Sequence, residues 1–320
     1  MKPDPIPLHL LDWLLAGDVA IQYQVYRDLL HQERPDLRAR IATEGWGAQF
    51  LGARRPEGHW GRGFYQPKWI STHYTLLDLK HLGIAPDHSQ IRASIHHILA
   101  HHKAADGGVN PAKTIKTSDV CVNGMFLNYA TYFDVPDELL HSIVDFLVEV
   151  QMGDGGFNCQ SNQQGAVHSS LHSTISVLEG IAEYLANGYA YRAAELEFMA
   201  RQAREFILLH RLFRSDRTGK IINPRFLRLS YPSRWFYDIL RALDYFRSVG
   251  ADYDPRLQDA LDVLRQKQRQ DGTWPLQARH PGQTHFEMEI SGQPSRWNTL
   301  RALRVLAHFQ QAHPAGAAAR

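Results

Sequence analysis

Gln151-Met-Gly-Asp-Gly-Gly-Phe157 and Gln268-Arg-Gln-Asp-Gly-Thr-Trp274 are two copies of one turn. Further copies stand at Glu57-Gly-His-Trp60 and Asp106-Gly-Gly-Val109, with a degraded one at Thr218-Gly-Lys-Ile221. Their glycines, at 58, 107, 155, 219 and 272, recur about every fifty residues, the spacing of a repeat architecture.

Each turn follows an amphipathic run, such as Ile143-Val-Asp-Phe-Leu-Val-Glu-Val150, whose apolar residues at i, i+3 and i+4 predict a helix. The glycine can adopt the left-handed conformation that ends a helix. After each turn comes a second apolar helix, predicted over 72–82, 118–133, 170–185, 233–249 and 295–309. All five open on Ser or Thr, preferred N-caps. With 18–31 these make six inner helices. Outer helices are expected over 37–53, 88–102, 137–150, 193–210 and 255–268, and 8–15 is the sixth, placed to close a ring against the last inner helix. Repeat units bury their apolar faces only against neighbours, and a closed ring leaves no bare end. The expectation is an all-α α/α toroid of about six helix hairpins. It forms a single domain over 1–312 with a disordered tail at 313–320.

Composition fits. A hydrophobic content of 44% supports a sizeable core, and a net charge of +2 gives no electrostatic pull toward nucleic acid. No apolar run approaches the roughly twenty residues of a membrane helix. Met1-Lys-Pro-Asp-Pro5 carries no apolar signal stretch, and two cysteines fit a reducing compartment, so the expected location is cytoplasmic.

In such a ring, polar residues at the starts of the inner helices gather at one mouth, where helix N-termini favour anions. Asp119 and Cys121 open one inner helix, and His168 and His172, four apart on one expected helix face, open the next. Asp119, Cys121 and His172 are a candidate zinc set, since three ligands and an open position mark a catalytic zinc. Lys113 and Lys116 would hold a diphosphate beside it as point charges. The same residues also have plain structural readings: an N-cap, a small buried thiol, a core histidine. Cys159 is expected to pack, with a ligand role as its alternative. Trp69, Tyr74, Trp235, Phe236, Tyr237 and Trp297 either line a cavity or pack between helices. Arg234 and Arg296, in the echoed Pro-Ser-Arg-Trp motifs, either bind an anion or pair with Asp238, Glu287 or Glu289.

The Gly-aromatic turns resemble those of the superfamily of protein prenyltransferase β subunits and squalene cyclases. In the prenyltransferase branch, an Asp-x-Cys and a later His hold zinc, and basic residues six and three positions before the Asp bind diphosphate. Lys113 and Lys116 occupy those two positions relative to Asp119, while Val122 replaces an aromatic residue of the family. The resemblance implies a zinc-dependent, prenyltransferase-like enzyme binding an isoprenyl diphosphate. His168, Trp235, Tyr237 and Trp297 are expected as further substrate contacts from their positions. No α subunit is evident. The Asp-x-Asp-Asp acid of the cyclases is absent, which argues against that branch. A non-catalytic scaffold and a carbohydrate-active enzyme, for which Glu287 and Glu289 offer a weak carboxylate pair, are the alternatives.

Overall fold

The computed structural model of the chain describes residues 6–112, 116–159 and 165–312. Its helices are α1 (Leu8–Leu15), α2 (Val19–Asp28), α3 (Pro35–Arg40), α4 (Gly45–Gly52), α5 (Thr72–Leu82), α6 (Ser89–His102), α7 (Val120–Tyr132), α8 (His141–Glu149), α9 (Leu171–Ala186), α10 (Ala193–Leu209), α11 (Ile239–Ser248), α12 (Gln258–Gln266) and α13 (Arg296–Ala312). Burial sorts them into two layers. In α7 every residue from Val120 to Thr131 is buried, whereas α10 buries only Leu196, Met199, Ala200, Ala203, Phe206 and Ile207, a single stripe. The inner layer is α2, α5, α7, α9, α11 and α13, the six expected segments.

The inner helices form a closed ring. α5 packs on α7, α7 on α9, α9 on α11, α11 on α13, and α13 returns to α2. Gln24 of α2 completes the circle by donating to the carbonyls of His81 and Leu82 at the end of α5. The helices run in one direction, and α7 and α9 approach most closely. A Cβ on Gly124 would lie 2.7 Å from the Ser176 carbonyl, and one on Gly180 would lie 2.3 Å from the Gly124 carbonyl.

The repeated turn explains the geometry. All five turn glycines are left-handed. The backbone N–H just beyond each well-formed turn donates to one inner-helix side chain. Trp60 donates to Thr72, Val109 to Asn123, Phe157 to Thr174 and Trp274 to Thr299, at 2.7 to 3.0 Å. The indoles of Trp60 and Trp274 donate to the last turn of the preceding outer helix, at Phe50 and Leu264. Three of the turns also abut the next outer helix: Gly107 faces Ser142 of α8, Gly155 faces Gln202 of α10, and Gly272 faces Leu10 of α1. α1 thereby serves as the sixth outer helix, as expected.

Some boundaries differ from the sequence reading. The expected outer helix 37–53 is split into α3 and α4 at left-handed Gly45, where Asp18 accepts from the Trp46 N–H. α11 starts at Ile239, because Arg234 is left-handed and Asp238 is the cap. Ser118 is not the cap of α7, and Ser170 stands at the N-cap of α9 without a capping side-chain hydrogen bond. Ser118 and Ser169 are instead tied to the turns before them. Their backbone N–H groups and hydroxyls are held by the turn carboxylates Asp106 and Asp154. The named strands among the described residues are the short pair Trp274–Pro275 and Pro294–Ser295. Among the described residues no helix is long and apolar enough to cross a membrane. Lys113 and the tail from 313 lie outside the described residues.

Candidate metal centre

Asp119 caps α7, its Oδ1 accepting from the Cys121 N–H at 3.2 Å. The loop leaving the third turn then crosses the start of α7 on its way to α9, and delivers Cys159 there. The Cys121 thiol donates to Asp119 Oδ1 at 3.1 Å and the Cys159 thiol donates to the same oxygen at 2.8 Å. Ser173 of α9 lies 3.3 Å from the Cys159 sulfur, and the Cys121 N–H points at that sulfur from 3.4 Å. Ligand atoms of Asp119, Cys121 and Cys159 lie within 4.8 Å of one another. Both cysteines are buried and free. The hydrogen bond with Cys159, burial and the Asp119 carboxylate hold the Cys121 thiol well above its usual range, so it stays protonated.

A cation stands beside this group. The Lys68 ammonium lies 5.7, 5.2 and 5.1 Å from the ring centres of Tyr65, Trp69 and Trp235. Burial lowers its pKa, while Cys121, Asp119 and Cys159 pull the other way. The repeat accounts for its placement. Four residues before the anchors Thr72, Asn123, Thr174 and Thr299 stand Lys68, Asp119, Ser170 and Ser295. Two before them stand Ile70, Cys121, His172 and Trp297. Counting back from the anchors would have singled out Lys68, which the motif search passed over.

His172 is not part of the gathered set, and Cys159 is. The His172 Nδ1 accepts the Tyr237 N–H at 2.8 Å, so in the neutral ring the proton is on Nε2 and neither nitrogen is free to ligate. Its ring is packed among Phe226, Trp235 and Phe236, and burial, then Arg241, lowers its pKa to about 4. His168 shares no helix face with it, because α9 begins at Leu171 and His168 is exposed in the preceding loop. Lys116 is exposed three residues before Asp119. Trp235 stacks on Phe236 and faces Lys68. Tyr237 is a packing residue, its hydroxyl donating to the Leu212 carbonyl. Trp297 lies at the ring's other cavity, between Trp46 and Tyr231.

The two arginines tie helices together, Arg296 between the adjacent α13 and α1 and Arg234 across the ring to α5, with partners other than those expected. Arg234 forms a buried ion pair with Asp78, and Arg296 donates to the Trp13 carbonyl. Glu287 pairs with Arg279, and half-buried Glu289 accepts from Ser295 and the Trp297 N–H at the start of α13. Around them, segment 277–292 covers the mouth. The Trp69 indole donates to the Pro281 carbonyl and His280 stacks on Phe236 at 3.8 Å.

The larger cavity, about 370 Å³, opens at the opposite end, where the inner helices finish, and reaches inward to Tyr231 and Trp297 near the starts of α11 and α13. Arg27, Lys80, Tyr132, Glu183, Arg247 and Arg304 come to it from the six inner helices in turn. A closed apolar pocket with a basic rim, as an isoprenoid requires, is not what the ring encloses there.

No family model matches the chain, and no curated protein matches it. Solved structures do. A glycosyl hydrolase of family 88 from Bacteroides vulgatus aligns at 12% identity over 91% of this chain and 89% of that one, with a TM-score of 0.50. A polysaccharide lyase aligns at 14% identity over 94% and 96%, with a TM-score of 0.51. The chain is an α/α toroid. The type II terpene cyclase MstE from Scytonema also aligns, at 14% identity over 91% and 88%, with a TM-score of 0.47. At these identities the likeness is one of fold, and function rests on the site.

Proposed function

We propose that this toroid is a zinc-dependent enzyme whose metal is held by Asp119, Cys121 and Cys159. The observation that supports it is two buried thiols from separate loops donating to one oxygen of a carboxylate. A divalent ion binds such a set by displacing the two thiol protons. Two sulfurs and one oxygen suit Zn²⁺ and not Mg²⁺ or Ca²⁺. Asp119, Cys121 and Cys159 would hold the ion and would leave room for substrate or water on it. Zinc there supplies a lowered pKa for a bound thiol or water.

The remaining roles belong to the chain. Lys68, held among three rings, is placed to bind an anionic leaving group, and its partly desolvated charge acts more strongly than one in water. Lys116 adds a cation at the rim. Trp235 and Phe236 form an apolar wall. The chemistry is prenyltransferase-like, with Cys159 in the role expected of His172. The charged lining of the large cavity argues against a long isoprenoid tail and supports a substrate with a short apolar body and an anionic group.

The test is metal content and cobalt spectroscopy on protein without a histidine tag. One equivalent of zinc is expected, and the cobalt form should show thiolate-to-metal charge transfer. Cys121→Ser and Cys159→Ser should each remove most of that intensity. Lys68→Met should weaken pyrophosphate binding to the zinc form by roughly tenfold or more, the loss of one charge-assisted contact. Folded wild-type protein that takes up no zinc, or zinc retained in both serine variants, would reject the assignment.

A further inference from the structure

The cavity at the C-terminal ends of the inner helices carries more cations than its carboxylates can pair. Lys80 is matched by Glu183 at 2.8 Å and Arg241 by Glu179 at 2.6 Å. The other four arginines, Arg27, Arg247, Arg301 and Arg304, share two carboxylates, Asp28 and Asp244. Arg304 bridges both, Arg27 reaches only Asp28, and Arg247 and Arg301 reach only Asp244. Among the described residues the excess is two positive charges. Burial, then the Lys80, Arg241, Arg301 and Arg234 cations, push the His81 imidazole in the same wall well below its usual range.

Among the described residues, two donors there also lack acceptors. Arg301, only 6% exposed, makes one contact, from Nε to Asp244 at 3.3 Å, and its Nη1 has no partner. The indole N–H of Trp297, 2% exposed, has none either, and nor has the Asn128 side-chain oxygen. Buried polar groups are nearly always paired, and an unpaired guanidinium N–H is among the costliest exceptions. The carbonyl ends of the six inner helices bring fractional negative charge to this mouth, but none accepts from Arg301 Nη1.

We infer that this mouth is a second binding site, separate from the metal group, that takes a compact organic dianion with a hydroxyl. The dianion matches the charge excess and gives acceptors to Arg301 and Trp297, and the hydroxyl donates to Asn128. A volume of about 370 Å³ is at the low end of small-ligand pockets, which excludes a polymer chain and admits a phosphate monoester or a dicarboxylate.

The experiment is calorimetry and thermal melting on the full chain at fixed ionic strength. The probes are sn-glycerol 3-phosphate, malate and neutral glycerol. The two dianions should bind and raise the melting temperature, and glycerol should do neither. The shift should persist in Cys159→Ser, which separates this site from the metal group and its failure from the failure of the zinc reading. Arg301→Gln should weaken the dianion by roughly ten- to a hundredfold. Should that variant misfold, Trp297→Phe keeps the ring between Trp46 and Tyr231 and should weaken binding severalfold by removing one donor. No binding of either dianion to folded wild-type protein would overturn the inference. So would affinities unchanged by Trp297→Phe and by any folded Arg301→Gln.

Discussion

The sulfur of Cys159 lies 2.8 Å from Oδ1 of Asp119, forty residues earlier in the chain. The contact joins the loop of one repeat to the helix cap of the repeat before it. It places a second thiol where the phase of the repeat points to a histidine. The proposed donor set at this mouth is therefore Asp-Cys-Cys, more anionic than Asp-Cys-His by one charge once both thiols ionise.

His172 provides the control for that set. We expect His172→Leu to keep its zinc while losing about 1 to 3 kcal/mol of stability, because the Tyr237 N–H loses its acceptor. Elemental analysis beside a urea melt separates the two effects. Zinc loss in the folded variant would restore His172 as a ligand.

Acid should unfold the protein early. Burial holds His73 at about 3 and His172 and His280 at about 4, all below their ordinary 6.5. Protonation favours the unfolded chain for each, so this stability is complete above pH 6.5 and drains as pH falls toward 4. The three together contribute a slope of up to about 4 kcal/mol per pH unit. Circular dichroism should place the acid midpoint above pH 4. His280→Phe, which keeps the stack on Phe236, should move the midpoint lower. Stability unchanged from pH 7 to 4 would contradict the burial of these rings.

Two glycines should respond oppositely to alanine. At Gly124 the new methyl meets backbone of α9 at 2.7 Å, so Gly124→Ala should cost about 2 to 4 kcal/mol and loosen the ring. At Gly52, on outer helix α4, nothing lies within 4 Å, so Gly52→Ala should add up to about 1 kcal/mol through helix propensity. Denaturant midpoints of the two variants check both signs.

The Asp78–Arg234 pair is almost wholly buried, with side-chain exposures of 2% and 6%. Asp78→Asn should cost about 3 to 5 kcal/mol by stranding the guanidinium. Adding Arg234→Met should recover part of that loss, since the buried charge then goes too. A double variant no better than the single would show that the loss came from packing and not charge.

The sequence by itself determined the toroid. Turn glycines near every fifty residues and the apolar period of each helix are local signals, and the six inner segments all appear in the ring. The role of Leu8–Leu15 as the closing outer helix was legible too, because a ring of five and a half hairpins leaves an apolar face bare. Asp119 and Cys121 were legible because they are neighbours on one helix start. Cys159 was legible only as an alternative ligand and Lys68 not at all, since nothing periodic ties a loop cysteine to a cap forty residues away, and the lysine precedes a helix in a different repeat. His172 shows the limit most clearly. Its phase matches Cys121, yet the Tyr237 N–H, sixty-five residues on, decides where its proton is. Local pattern settles which helix face a residue occupies. Which atoms meet across repeats, and which cations go unpaired at the far mouth, depends on how the six units close.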